Sequence, residues 1–194
     1  MMFRKMIFLV GMISLCAHAS SGWGENYNFR YSRWGMAAED VIASEKKLDP
    51  VESNQNIIRY KTEILGKHVE LAYLFSQNKL IGSLYKLEDN YLNSNHFLTT
   101  YNKFKAALAE KYGSPTEETT HWTNETLRNV SQKKGLALSL GQVEYFSAWE
   151  TPSTKISLSL KEENYYVLCV IEYWSKEFAY LAEEADKEDT IDPF

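Results

Sequence analysis

The strongest pattern in the chain is an alternation of apolar and polar positions between residues 57 and 87. Three runs, 57–65, 68–75 and 79–87, are separated by Gly66-Lys67 and by Ser76-Gln77-Asn78, connections of hairpin length with turn residues. In the middle run Val69, Leu71, Tyr73 and Phe75 alternate with His68, Glu70, Ala72 and Leu74. That period of two predicts an antiparallel sheet covered mainly on one face. A second set of runs, 143–150, 155–161 and 165–174, predicts another three-stranded meander, with Ile156, Leu158 and Leu160 in phase.

Helical spacing marks the other elements. Phe97, Tyr101, Phe104, Leu108 and Tyr112 recur every three or four residues. Asn95 stands as a cap before them, Gly113 ends them and Pro115 follows. Met36, Val41 and neighbouring apolar residues predict a shorter helix that closes before Pro50, with Glu39 and Asp40 in its first turn. Residues 116–123 read as a strand around Trp122, and 124–140 as a helix interrupted by Gly135. Ser175 is placed to cap a last helix through Phe178 and Leu181. The fold class is therefore α+β: helices on antiparallel meanders, in two α-β-β-β halves of similar plan. The expected organisation is a single domain over 34–182, behind a flexible segment 20–33 and ahead of an acidic tail 183–194.

Residues 1–19 read as a secretory signal. Arg4 and Lys5 precede an apolar run over 6–15, and Ala17-His18-Ala19 gives the A-x-A cleavage pattern. The run is too short for a membrane span. Leu15 ahead of Cys16 does not suit lipidation, so a periplasmic or secreted protein is expected. Without residues 1–19, 19 basic side chains face 26 acidic ones, a net charge of −7, of which −5 falls in 183–194. A near-neutral body argues against a nucleic-acid binder that works by phosphate neutralisation. Cys169 is then the one remaining cysteine, within the apolar run 167–171, where it reads as a small buried hydrophobe.

Two segments carry a resemblance. Trp34-Gly35-Met36 opens a helix that continues through Val41 to Glu45, and Tyr101, Phe104 and Leu108 lead to Lys111-Tyr112-Gly113-x-Pro115. Together they resemble a group of uncharacterised exported bacterial proteins with a WGM…V opening and a KYG-x-P helix end. The plan is also similar to small envelope domains such as β-lactamase inhibitory protein and the small lipoprotein of the outer-membrane barrel-assembly machinery. In that class Ser or Thr follows the Gly-Met pair; here Ala37 does. The resemblance implies a sheet-and-helix binding domain rather than an enzyme.

No nucleophile elbow, P-loop, dinucleotide fingerprint or H-E-x-x-H occurs. His68, His96 and His121 lack metal-site spacing, and the pairs Glu39/Asp40, Glu117/Glu118 and Glu162/Glu163 are adjacent in sequence rather than set across a cleft. No cofactor, metal or catalytic residue is expected. What calls for explanation is the aromatic content, 27 residues or 14%. Most belong in the core. Tyr60, Tyr73, Tyr85, Tyr145 and Tyr165, on strands and with a polar end, are the candidates for a sheet face that meets a protein partner. Two alternatives stand beside that reading: a carrier of an apolar or lipid-like ligand between sheet and helices, and an envelope hydrolase whose site is assembled by folding.

Overall fold

The computed structural model describes residues 27–182 and residue 184. The expected signal segment 1–19 with its expected cleavage site at Ala19, Cys16, and nearly all of the acidic stretch 183–194 lie outside them. The two meanders form one antiparallel sheet. After α1 (Ala38–Ser44) come β1 (Glu52–Ser53), β2 (Ile57–Ile64), β3 (Lys67–Ser76) and β4 (Lys79–Leu87). After α2 (Asn95–Tyr112) come β5 (Glu117–Trp122), α3 (Lys134–Ser139), β6 (Val143–Glu150), β7 (Thr154–Glu163) and β8 (Tyr166–Ser175). The strand order is β1-β2-β3-β4-β8-β7-β6-β5, so each half supplies four strands after a long or short helix, the second with α3 between β5 and β6, and the halves join where β4 pairs with β8.

Strand parity sets the core. Ile58 lies opposite Tyr73, Tyr60 opposite Leu71, Leu71 opposite Tyr85, Tyr85 opposite Ile171, and Ile171 opposite Leu158. All of these are buried, and they share the face covered by the helices. α2 lays Phe97, Tyr101, Phe104 and Leu108 over β6, β7 and β8. Its preceding residue is Ser94, one position before the expected cap, and Asn95 instead uses its side-chain oxygen to accept the Gly135 N–H at 2.9 Å. Gly135 is required there: a Cβ would stand 2.4 Å from the Asn95 backbone nitrogen. The expected helix over 124–140 is in fact two single 3₁₀ turns, Glu125–Leu127 and Ser131–Lys133, followed by the six-residue α3. Val130, Leu136 and Leu140 stay exposed, so the apolar spacing in that segment does not mark one buried helical face.

The motifs that carried the resemblance have local reasons. Gly35 has φ +82°, and a Cβ there would meet the Phe178 ring at 2.9 Å. Its N–H donates to the Leu80 carbonyl at 2.8 Å, while Leu80 N–H donates to Met36 at 2.9 Å, which stitches the opening to the β3–β4 turn. Trp34 Nε1 reaches across to Thr154 Oγ1 at 2.9 Å. At the end of α2, Gly113 has φ +85°, and its carbonyl accepts the buried Trp149 Nε1 at 2.9 Å. Ser175 Oγ accepts the Phe178 N–H at 3.2 Å, the capping bond its position suggested.

The described part of the lead-in, 27–33, is not loose. Phe29 is 5% exposed and packs on Tyr73, Tyr85 and Tyr173 at centroid distances of 5.6, 5.3 and 4.7 Å. Arg30 grips Glu45 with two hydrogen bonds, Nε to Oε1 at 2.6 Å and Nη2 to Oε2 at 2.8 Å. The Tyr73 hydroxyl donates to the same carboxylate. This strap closes the aromatic cluster at the seam between the halves.

Candidate functional site

The helices cover one side of the sheet, and the residues of opposite parity make the other. Rows across that open face follow from the register. Arg59, Ala72, Leu84, Glu172, Ser157 and Ala148 stand in line from β2 to β6. Beside them, Leu74, Gly82 and Trp174 form part of one row, and Val170, Ser159 and Phe146 part of another. Leu74, Leu84, Val170, Phe146 and Trp174 are half-buried rather than covered. Gly82 shapes the centre: a Cβ there would stand 2.7 Å from the Trp174 ring, so only glycine lets the indole lie across the β4–β8 junction.

Charges frame this apolar centre. Arg59 pairs with Glu52 and with Glu70, the latter at 3.5 Å. Lys61 pairs with Glu88 at 3.3 Å and Lys161 with Glu163 at 2.7 Å. Near the centre, Ser157 Oγ donates to Glu172 Oε2 at 3.2 Å. Charge also enters the middle, with Glu172 opposite Leu84 and Lys86 opposite Val170, so the open face mixes apolar and charged side chains.

The face ends in a cleft. The β4–β8 ladder stops at Lys86↔Val170, but β8 continues beside β7 as far as Tyr166, and β4 turns away into residues 88–94. The resulting fork holds a cavity of about 830 Å³. Leu87, Tyr91 and Phe97 line one wall and Tyr165, Tyr166 and Leu168 another. A smaller cavity of about 530 Å³ includes Lys61, Thr62, Glu63, His68, Glu88 and Asp89.

That second cavity joins a histidine, a carboxylate and a hydroxyl. His68 Nδ1 lies 3.1 Å from Asp89 Oδ1, and Tyr91 OH donates to Asp89 Oδ2 at 3.0 Å. Burial works to raise the Asp89 carboxyl, but the hydrogen bonds from His68 and Tyr91 outweigh it and hold the carboxyl below its usual value. Nucleophilic catalysis further requires a hydroxyl within hydrogen-bond reach of the base. Thr62 lies opposite Val69 and shares its face, whereas His68 takes the other. His96 sits against Tyr91, and His121 lies on the outer strand β5, so the three histidines do not converge. Among the described residues no group of three or more His, Cys, Asp or Glu side chains could hold a metal ion.

The structure separates the five candidate tyrosines. Tyr60, Tyr73 and Tyr85 are on the covered face, 0%, 0% and 8% exposed, and so cannot meet a partner there. Tyr145 is also on that face, half-buried against Tyr101 at 5.8 Å. Tyr165 alone is fully open, at the β7–β8 turn with φ +69° and 98% exposed. The reason is parity. Tyr73 alternates in phase with Val69, Leu71 and Phe75, so the residues that could have placed it in the core stand beside it in the sequence. Sequence reasoning missed Leu84, Val170, Phe146 and Trp174. Their signal was the opposite phase of the same strands. Burial also pushes the Tyr101 hydroxyl up to about 12 and the Cys169 thiol up to about 12, which fits Cys169 as an inert core residue.

In comparison with known proteins, no family model matches the chain, and neither a curated protein nor a solved structure gives a significant match.

Proposed function

We propose that this chain is an exported, non-catalytic binding protein that presents the open face of its eight-stranded sheet to a protein partner. The observation that carries the reading is the one-sided sheet. Its uncovered side gathers Leu74, Leu84, Val170, Phe146 and Trp174 among charged side chains. Trp174 is the type of residue that anchors an interface, and its neighbours would exclude water around it. The resemblance to small envelope binding domains supports the same reading. So does the leader pattern at residues 1–19, which supports a place in the periplasm or outside the cell.

The test is capture from an envelope extract with the wild-type chain and with Leu84→Lys and Phe146→Lys variants, after circular dichroism has shown that each variant folds. A protein held by the wild type and lost by both variants supports the proposal. Equal capture by all three removes it.

A carrier for an apolar ligand is the second reading, favoured by the fork cavity and its wall of Leu87, Tyr91 and Phe97. Binding of a fluorescent fatty-acid analogue that Phe97→Asp abolishes would support that reading. No binding by the wild type would dismiss it.

A further inference from the structure

The two ends of the sheet are not alike. At one end β1 is only two residues long, which leaves little edge to pair with. At the other end β5 presents six residues, Glu117–Trp122, with β6 as its one neighbour. Residues 117–121 are all exposed. The strand carries no lysine and no proline; its charged side chains, Glu117 and Glu118, stand at its start, where Thr116 N–H also donates to the carbonyl of Ala148, the partner of Glu117, at 2.8 Å. α2 packs mainly over β6, β7 and β8, and its Lys105 Nζ reaches Glu118 on β5 at 2.7 Å; among the described residues no helix packs closely along the edge.

The direction of the peptide groups is fixed. Thr123 N–H donates to the Gln142 carbonyl at 3.0 Å, and those two residues continue the β5–β6 register. Because narrow and wide pairs alternate, residues 117, 119 and 121 turn their peptide groups toward β6, and 118, 120 and 122 turn theirs outward. Among the described residues, no backbone group of another segment bonds the outward groups of Glu118 or Thr120.

We propose that this edge pairs with the same edge of a second copy, antiparallel about a two-fold axis through Thr119. A continuous sheet requires outward groups to meet outward groups and residues of one face to meet the same face, so the register can shift only in steps of two. Centring on residue 118 sets Glu118 against Glu118 of the partner subunit. Centring on residue 120 leaves Glu117 unmatched. Centring on Thr119 sets Glu117 opposite His121 of the partner subunit, and His121 opposite Glu117 of the partner subunit. In either charge state an imidazole N–H can donate to that carboxylate. Glu118 then forms a narrow pair with Thr120 of the partner subunit and exchanges both backbone hydrogen bonds with it. The axis is perpendicular to the sheet, so both open faces lie on the same side and merge into one surface of twice the width. A partner that spans it would gain avidity without any new contact.

A single short strand pair buries less than the ~1,200 Å² of a standard interface, so the dimer is weak. Sedimentation velocity on the purified chain should show a monomer at low micromolar and a dimer at high micromolar concentration. Thr120→Pro deletes an outward N–H that β6 does not use. It should keep the circular dichroism and melting temperature while weakening the dimer by about tenfold or more. His121→Glu, which sets two carboxylates opposite each other across the interface as well as facing Glu144 of its own chain, should weaken the dimer while circular dichroism still shows the fold, and adding Glu117→Lys should restore the dimer. A wild-type chain that stays monomeric throughout overturns the proposal. So does a dimer that His121→Glu leaves unchanged, or one that the charge-swapped pair does not restore. These readings need no partner protein and are independent of whether the open face binds one.

Discussion

Replacing Arg30 by methionine should destabilise the whole domain, although Arg30 lies outside every helix and strand of the sheet. The Glu45 side chain is 1% exposed, and Arg30 gives it two hydrogen bonds at 2.6 and 2.8 Å. Glu45 in turn holds the Arg30 guanidinium well above its ordinary value. Arg30 Nη1 also reaches Tyr85 OH at 3.4 Å. Arg30→Met leaves a buried carboxylate with the Tyr73 hydroxyl as its remaining donor. Breaking a buried ion pair from one side costs about 3–5 kcal/mol. The methionine keeps the same backbone conformation, so nothing offsets this, and Tm should fall by about 6–20 °C for a domain of this size. The double variant Arg30→Met/Glu45→Gln removes both charges and keeps an acceptor for Tyr73, so it should lose under about 2 kcal/mol. Urea unfolding followed by tryptophan fluorescence and circular dichroism measures both. An Arg30→Met loss below about 1 kcal/mol, or a double variant no more stable than the single one, would refute the argument.

The alkaline limb of stability should be steep. Burial raises Tyr73, Tyr85, Tyr101 and Tyr173 above 10, and Glu45 adds to the effect at Tyr73. A raised folded-state value contributes stability that is complete below pH 10 and lost as pH rises beyond it. Absorbance at 295 nm should therefore show these hydroxyls ionising together with unfolding; smooth titration in a folded chain would contradict their burial. At the acid end the sign reverses. Asp89 sits below its ordinary 3.8, so its contribution is present above that pH and fades as pH falls below it; Asp89→Asn should flatten that part of the stability curve. Gly82→Ala should push Trp174 off the sheet at a cost of about 1–3 kcal/mol and red-shift its emission, and an unchanged spectrum would mean that the ring does not lie on Gly82.

Local pattern carried most of the fold. The alternation in β2, β3, β4 and β7, and the 3.6 period of α2, each reflect a single buried face and could be read one element at a time. The strand tyrosines show where that stops. Tyr60 and Tyr73 have polar ends, which suggested a surface, but their phase puts them among Ile58, Leu71 and Phe75. The phase was the better guide, because a one-residue change of face would have exposed the whole aliphatic set. Gly135 looked like a weakness in a helix; it is where α3 closes on the α2 backbone, a requirement set by residues 40 positions away. The Trp174–Gly82 contact and the fork between β4 and β8 depend on how the halves meet, and neither half's sequence states it; the Arg30–Glu45 pair joins side chains 15 positions apart, a contact no local period marks.

Affinity for the captured partner is the quantity that bears most directly on the open-face account. Titration calorimetry with wild type, Leu84→Lys, Trp174→Ala and Tyr165→Ala, each shown to be folded, separates the centre of the face from the exposed turn beyond it. The account predicts that Leu84→Lys and Trp174→Ala each weaken binding by about 30-fold or more, near 2 kcal/mol, while Tyr165→Ala stays within a few-fold of wild type. Wild-type affinity in both central variants would contradict it.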